Sequence, residues 1–255
     1  MKRRVIVLLG PPGSGKGTQA SLLAGRLRIP AISTGNILRR ECETGTPLGN
    51  TVGALLAAGE LVPDDLVNQV VAGALAHPDA RRGFLLDGYP RTVPQAVYLD
   101  RLLDSLGMPR PTVVQIEVPT PVLVKRLTGR LQCPACGRSY RIHTEPTDRR
   151  RCEDDGAALV RRSDDSEIAI RERLRLYAET SAPLIGYYGG SNLYHIDGTG
   201  APDTVLAALE SALGIREPAA DRAPTVRAND QPPRAPVPVS SAGTLLEQRT
   251  GGDSH

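Results

Sequence analysis

The sequence predicts an α/β fold in which a parallel sheet is flanked by helices. Short apolar runs typical of buried strands recur at residues 5–9, 84–86, 113–118 and 193–196, and helical patterns such as 94–106 lie between them. Strands that alternate with helices favour a parallel sheet covered on both faces. Ligands of such sheets bind at the carboxyl ends of the strands. Residues that directly follow each run are therefore the first candidates for function.

The first run is followed by a glycine-rich loop and then by a helical pattern over residues 18–27. Residues 10–18, GPPGSGKGT, fit the pattern G-x-x-x-x-G-K-[ST] except that Gly17 stands between Lys16 and Thr18. Glycines let backbone N–H groups turn inward around an anion, the helix N-terminus adds its positive end, and Lys16 adds a point charge. The loop predicts a phosphate-binding site. The alternative is a plain Gly/Pro turn, which gives Lys16 no role.

Composition excludes several classes of protein. The chain has 255 residues, a formal net charge of +3 and only 3% aromatic residues, so we expect one or two domains and a core of Leu, Val, Ile and Ala. The charge is too small to indicate a nucleic-acid or membrane partner. There is no signal-peptide pattern, and no apolar run approaches the roughly 20 residues that span a bilayer. We expect a cytoplasmic protein without structural disulfides.

Two segments break the strand–helix alternation. Residues 36–76 are mostly helical with stops at Gly45, Pro47, Gly59 and Pro63, whereas residues 130–162 are rich in Cys, Arg and Asp with little periodicity. The second of these looks like an inserted module. The stretch 217–255 carries six Pro and no aromatic residue. Such a segment cannot bury enough apolar surface to fold, so we expect a disordered tail.

The inserted module contains a candidate metal site. Cys133 and Cys136 are followed, after fifteen residues, by Cys152 and then Asp155. This spacing is typical of zinc sites, in which the last ligand is usually a fourth Cys. A carboxylate can complete a tetrahedral site with three thiolates, and a closed site of four ligands is structural. The alternative is a set of unrelated thiols, with Cys42 as another lone one.

Asp87 directly follows the strand at 84–86, where a carboxylate could orient Mg²⁺ and its waters. The alternative for Asp87 is a strand-end cap. A phosphoryl-transfer site also needs cations on both substrates and on the group in flight. Composition cannot choose among 28 arginines. The candidates near glycine turns or the borders of the insert are Arg39, Arg91, Arg126, Arg130, Arg162 and Arg173.

Together these motifs resemble the adenylate kinase family over residues 4–214, specifically the long form whose lid carries zinc. The most specific match is residues 84–92, FLLDGYPRT, with Gln95. The other matching segments are residues 10–19, 33–39, 59–64, 127–130, 162–165 and 197–200, which read GPPGSGKGTQ, STGNILR, GELVPD, LTGR, RSDD and DGTG. Asp155 as the fourth ligand resembles a known variant of the zinc lid.

The resemblance implies a P-loop kinase fold in an adenylate kinase domain over residues 1–216. The implied parts are a core (1–33, 64–129 and 163–216), an inserted helical AMP-binding domain (34–63) and a zinc-binding lid (130–162). The implied reaction is direct, in-line and reversible transfer of the terminal phosphoryl group of ATP to AMP, giving two ADP. We expect ATP, AMP and ADP as ligands, Mg²⁺ with ATP, a structural Zn²⁺ and a monomer.

The resemblance also implies a role for each site residue. The expected ATP-binding residues are Gly13, Ser14, Gly15, Lys16, Gly17, Thr18, Arg126, Arg130 and Gly200. The expected AMP-binding residues are Thr34, Arg39, Glu60, Leu61, Val62, Gly88, Tyr89, Pro90, Arg91, Gln95, Arg162 and Arg173. The expected catalytic residues are Lys16, Asp87, Arg91, Arg130, Arg162 and Arg173. The expected metal ligands are Cys133, Cys136, Cys152 and Asp155.

Two residues depart from the family pattern. Asn36 stands where the family usually has Asp, and Leu131 stands where a second Arg commonly follows Arg130. Two other functions stay open at this point. One is a kinase of the same fold that acts on another nucleoside monophosphate or uses GTP. The other is a non-catalytic zinc-ribbon nucleotide sensor, for which we would expect loss of Lys16 or of the lid arginines, and these residues are present.

Overall fold

The structure is a computed structural model that describes residues 3–58, 60–141, 150–162, 164–190 and 192–215. The predicted tail at 217–255 lies outside the described residues. So do Gly59 and Ser163, which belong to two of the matching segments.

Five parallel strands form the central sheet. They are β1 (Arg4–Leu9), β2 (Ala31–Ser33), β3 (Gly83–Asp87), β4 (Thr112–Glu117) and β7 (Leu193–Asp197), in the spatial order β2-β3-β1-β4-β7. Every neighbouring pair is parallel. The four predicted strands are confirmed to within a residue or two, and β2 is an additional short strand.

Helices connect the strands and cover both faces of the sheet. They are α1 (Lys16–Leu27), α2 (Thr34–Glu43), α3 (Pro47–Ala58), α4 (Asp64–Ala76), α5 (Val93–Ser105), α6 (Thr120–Thr128), α7 (Glu167–Leu176), α8 (Pro183–Tyr188) and α9 (Pro202–Ala212). A 3₁₀ turn (Pro78–Arg82) precedes β3, and a π-helical turn (Tyr177–Ser181) follows α7. Within the part of the chain that the structure describes, no helix is long and apolar enough to cross a membrane.

The two faces of β1 belong to two separate apolar clusters. Val5, Val7 and Leu9 pack on one side with α4 and α5, whereas Ile6 and Leu8 pack on the other with α1 and α9. Successive side chains of a strand point to opposite faces, so a continuous apolar run implies cover on both sides. The central position of β1 brings the glycine-rich loop out at the middle of the sheet edge.

The predicted helical segment at 36–76 consists of most of α2, α3 and α4. Its helices α2 and α3 approach so closely that a Cβ added at Gly49 would overlap the carbonyl oxygen of Glu41. Leu38, Val52 and Val67 from these three helices join the same apolar cluster as Val7 of the sheet. The segment is therefore packed onto the core on its inner side.

The segment at 130–162 has its own small structure. An antiparallel pair, β5 (Arg130–Gln132) and β6 (Ser139–Arg141), is extended by isolated bridges between residues 132 and 160 and between residues 151 and 158. Among its described residues, the apolar cluster is built on three buried side chains, Cys133, Tyr140 and Cys152. So small a core agrees with the expectation that this segment needs another source of stability.

Candidate active site

The glycine-rich loop joins the end of β1 to the start of α1. Gly13 and Gly15 have φ angles of +84° and +101°, which place them in the left-handed region that favours glycine. The ammonium of Lys16 donates to the carbonyl oxygens of Gly10 at 2.5 Å and Pro11 at 2.9 Å. The loop thus curls around its own lysine, and the N-terminus of a twelve-residue helix opens toward the cleft.

Asp87 stands at the carboxyl end of β3, beside this loop. Parallel pairing sets Leu8 of β1 and Ser33 of β2 opposite Asp87. A Cβ added at Gly17 would lie 3.4 Å from a carboxylate oxygen of Asp87. The extra glycine of the loop therefore lies directly against the carboxylate, and the expected Mg²⁺-orienting group is within reach of the phosphate-binding loop.

One wide cleft contains most of the predicted ATP-side and catalytic residues. Its lining includes Gly13, Gly15, Lys16, Gly17, Thr18, Asp87, Gly88, Pro90, Arg91, Arg126, Arg130, Arg162 and Arg173. Residues 136–140 of the inserted module line the same cleft opposite the loop. The cleft is therefore bounded by the sheet edge on one side and by the module on the other.

A smaller pocket next to the cleft is lined by most of the predicted AMP-side residues, together with Gly35, Leu38, Leu56, Val67 and Asp164. The predicted residues in its lining are Thr34, Arg39, Glu60, Leu61, Val62, Arg91, Gln95 and Arg173. Arg39, Arg91 and Arg173 line both cavities. These three cations thus lie where a group could pass from one cavity to the other.

Three predicted binding residues lie outside both linings. Tyr89 is fully buried beneath the site, where its hydroxyl donates to Asn68 at 2.6 Å. Ser14 is 2% exposed inside the loop. Gly200 packs against Thr204, whereas the carbonyl of Gly198, two residues earlier, accepts from Arg126 at 2.8 Å. Their predicted roles in binding stay predictions.

The cationic side chains of the site are buried close to one another, which lowers the pKa values of several of them. Burial lowers the pKa of Lys16 to about 8, although the charge of Asp87 opposes the shift. Burial also lowers the pKa of Arg91 to about 10, and the neighbouring Arg173 lowers it further. Burial and the charge of Arg39 lower the pKa of Arg162. Crowded, desolvated cations of this kind are stabilised by an anion placed among them.

Two buried carboxylates that sequence reasoning left without a role hold the arginines in place. Asp165 accepts two hydrogen bonds from Arg130, one of them from Nε at 2.7 Å, and lies 3.2 Å from Arg173. Asp164 pairs with Arg173 at 3.1 Å and with Arg39 at 3.5 Å. Burial alone would raise the pKa of Asp164, but these arginines lower it overall. Their place two and three residues after Arg162 in the matching RSDD segment was the available signal.

The four predicted metal ligands come together in the inserted module. Their ligand atoms all lie within 4.8 Å of one another. Sγ of Cys133 is 3.1 Å from the nearer carboxylate oxygen of Asp155, and Sγ of Cys136 is 3.6 Å from Sγ of Cys152. Tetrahedral zinc with bonds of about 2.3 Å to sulfur requires ligand–ligand edges of about 3.8 Å, slightly shorter with an oxygen. The observed separations bracket these edges, and three thiolates with one carboxylate are a donor set suited to zinc. Cys42 lies elsewhere, with Sγ 3.3 Å from the carbonyl of Gly49.

Fold and site together define a class of protein, a P-loop kinase of nucleoside monophosphates. A model of the adenylate kinase family matches residues 8–193. The chain is 45% identical over 212 residues to the adenylate kinase of Anaeromyxobacter dehalogenans, a match that covers 82% of this chain and 99% of the relative. It is 46% identical to the adenylate kinases of Salinispora tropica over 210 residues and Moorella thermoacetica over 211 residues, with 82% of this chain and 97% of each relative covered. The chain belongs to the adenylate kinase family.

Proposed function

We propose that this chain transfers the terminal phosphoryl group of ATP reversibly to AMP, with ATP in the cleft and AMP in the smaller pocket. The observation that carries the proposal is the row of cations shared by the two cavities, Arg39, Arg91 and Arg173. Two anionic substrates that meet at these arginines would neutralise much of their positive charge. The attacking phosphate is already an anion, so the proposed reaction needs no general base. The proposed transfer is direct and forms no covalent intermediate with the protein.

The cleft is the proposed ATP site. The backbone N–H groups of residues 13–18 would hold the phosphates together with Lys16, because an anion at a helix N-terminus is favoured by both hydrogen bonds and the dipole. Arg126 and Arg130 would hold ATP from the other side. Mg²⁺ bound with ATP would neutralise developing charge on the phosphate oxygens. Asp87 suits its orientation through water, since its carboxylate lies beside the loop.

The smaller pocket is the proposed AMP site. Leu61 and Val62 supply an apolar wall for the base, and Gln95 supplies its hydrogen bonds. Arg39 and Arg91 would bind the phosphate. The hydroxyl of Thr34 donates to the carbonyl of Gly88 at 3.0 Å, which ties the start of α2 to the loop after β3. The AMP phosphate would then point toward the cleft.

Transfer would take place among the shared arginines. Arg162 and Arg173 would contact the phosphoryl group in flight, where charge is spread over its equatorial oxygens. Residues 136–140 of the proposed lid line the cleft opposite the loop. The lid would exclude water, so that ATP is not simply hydrolysed. The bidentate hold of Asp165 on Arg130 keeps that guanidinium oriented before substrates arrive.

We propose a structural Zn²⁺ bound by Cys133, Cys136, Cys152 and Asp155. The metal would supply cohesion to a module whose apolar core is otherwise very small. Elemental analysis of purified protein should find one zinc per chain. The pair of variants Cys133→Ser and Cys42→Ser tests the assignment, because only the first should lose metal. Equal zinc content in the two variants would rule out the proposed metal site.

The decisive experiment for the reaction is a coupled assay of AMP, GMP, CMP and UMP with ATP as donor. AMP should give the highest kcat/KM. Arg91→Ala should raise KM for AMP far more than KM for ATP, whereas Arg101→Ala, an exposed arginine of α5, should change neither. A higher kcat/KM for UMP or CMP would indicate another monophosphate kinase, and nucleotide binding without turnover would indicate a sensor. Cytoplasmic location and a monomeric state remain predictions from the sequence.

A further inference from the structure

The side-chain amide of Gln95 is held at both of its ends. Its oxygen accepts a hydrogen bond from the backbone N–H of Arg91 at 2.7 Å. Its nitrogen donates to a carboxylate oxygen of Asp64 at 2.6 Å. The residue is 2% exposed and lines the smaller pocket. The amide is therefore a fixed part of the pocket wall.

The chemistry of the two partners decides which way the amide faces. A carboxylate can only accept hydrogen bonds, and a backbone N–H can only donate them. If the amide of Gln95 turned over, its NH₂ group would meet the N–H of Arg91 and its oxygen would meet the carboxylate of Asp64. Both hydrogen bonds would be replaced by repulsive contacts in a buried place, where unpaired polar groups are costly.

Asp64 is itself anchored. Its second carboxylate oxygen accepts from the hydroxyl of Thr92 at 2.7 Å, and the same hydroxyl accepts from the backbone N–H of Gln95 at 3.3 Å. Asp64 begins α4 and Thr92 caps α5, so this ring of hydrogen bonds joins the starts of two helices. Asp64 does not line the pocket. The pocket residue to which its side chain bonds directly is Gln95, which is therefore the direct route by which Asp64 can affect a bound base.

We propose that Asp64 is a specificity-positioning residue that makes the pocket select a 6-amino purine over a 6-oxo purine. This inference rests on the proposed function, in which Gln95 contacts the base of the acceptor. An amide has two hydrogens and accepts two hydrogen bonds, and the protein uses one of each. The remaining hydrogen and lone pair form one fixed donor and one fixed acceptor.

The two classes of purine present opposite patterns to such an amide. Adenine offers an acceptor at N1 and a donor at the 6-amino group. Hypoxanthine and guanine offer a donor at N1–H and an acceptor at the 6-oxo group. For bases bound in one common orientation, a glutamine that is free to turn over can pair with either pattern. A glutamine fixed by Asp64 and Arg91 pairs with only one, which for an AMP acceptor is the adenine pattern. Sites built around a required hydrogen bond discriminate strongly, because a mismatched ligand leaves buried polar groups unpaired.

The test compares AMP with inosine monophosphate, which has nearly the same shape and the reversed pattern. The wild type should prefer AMP by a factor on the order of 10² or more in kcat/KM. In Asp64→Asn the new amide can donate as well as accept, so Gln95 can turn over more easily. The ratio of the two kcat/KM values should fall at least about tenfold, the size expected from the loss of one hydrogen bond to a charged group.

Asp65→Asn is the matched control, because Asp65 lies in the same first turn of α4 but is exposed. Its ratio should stay within about twofold of the wild type, a range smaller than one hydrogen bond would produce. A second pair, Thr92→Val and Thr92→Ser, covers the case in which Asp64→Asn does not fold. Removing the hydroxyl loosens Asp64 and should lower the ratio, and Thr92→Ser should restore it.

Two results would overturn the inference. One is a wild type that uses inosine monophosphate nearly as well as AMP. The other is a set of Asp64 and Thr92 variants that lose AMP and inosine monophosphate activity by the same factor, as a merely structural role predicts. Both differ from failure of the proposed function, which would appear as a wild type that phosphorylates neither AMP nor its analogue.

Discussion

The guanidinium of Arg39 donates a 2.7 Å hydrogen bond to the side-chain oxygen of Asn36, three residues earlier in α2. The amide nitrogen of Asn36 faces the inserted module, since a Cβ added at Gly137 would lie 3.5 Å from it. One neutral residue thus hydrogen-bonds to a proposed AMP-phosphate ligand and faces a turn beside the proposed zinc site. This is the position at which the family usually has Asp.

Asn36→Asp should weaken AMP binding. A carboxylate would hold Arg39 by a charge-assisted hydrogen bond and compete with the AMP phosphate for it. We expect KM for AMP to rise about fivefold, which corresponds to about 1 kcal/mol, with little change in kcat. Steady-state kinetics with varied AMP is the measurement, and Asn50→Asp on the exposed side of α3 is the control. An unchanged or lower KM would show that Arg39 does not bind the acceptor phosphate.

The pH profile of the ATP reaction should report Lys16. Because burial lowers the pKa of Lys16 to about 8, the free enzyme loses this charge as the pH rises through that value. The kcat/KM for ATP, which reflects groups of the free enzyme, should therefore fall above about pH 8. Bound phosphates favour the charged form, so kcat should persist to higher pH.

Lys16→Arg separates this cause from others. A guanidinium keeps its proton in this range, so the alkaline fall in kcat/KM should move to higher pH even though the overall rate drops. Lys16→Ala should lose a factor of about 10²–10³ in turnover, as expected for a group that stabilises transferred charge. An identical alkaline limb in Lys16→Arg and wild type would assign the limb to another group.

Much of this site can be predicted from the sequence because its parts are local in the chain. The loop around Lys16 and the strand-end carboxylate Asp87 are each recognisable from a few consecutive residues. The structure adds contacts between residues that are far apart in the sequence. Asp64 meets Gln95 across 31 positions, and Asp165 meets Arg130 across 35. The apolar periodicity of a single sequence does not indicate which carboxylate will contact which distant amide or guanidinium.

The missed strand β2 has a similar explanation. It is three residues long, and among the described strands its partner is β3. Ala31 and Ser33 flank a single buried apolar residue, Ile32, so there is no apolar run to detect. Its strand conformation comes from pairing with a neighbour more than fifty positions away, as the register of Ile32 with Leu86 shows. Tertiary context, rather than local propensity, forms this strand.

Tyr140→Phe should weaken zinc binding without changing the shape of the module. The hydroxyl of Tyr140 donates to Sγ of Cys152 at 3.2 Å and accepts from the backbone N–H of Glu153 at 3.0 Å. The hydroxyl thus orients the thiol of Cys152, one of the proposed zinc ligands. Loss of such a partner typically costs about 10–100-fold in metal affinity. Competition with a chromophoric chelator measures the affinity, and Tyr194→Phe on β7 is the control. Unchanged affinity would show that the hydroxyl serves only packing.

The pairing of Leu8 with Asp87 has a consequence for how this chain can vary. Main-chain hydrogen bonds between β1 and β3, rather than side chains, fix how far along the strand direction the Asp87 carboxylate lies relative to the loop. Exchanging one apolar side chain for another within these strands leaves that position unchanged. One extra residue inserted within β3 would move the carboxylate by about 3.3 Å along the strand and turn it to the opposite face of the sheet. Over evolutionary time, these strands are therefore free to change in composition but not in length.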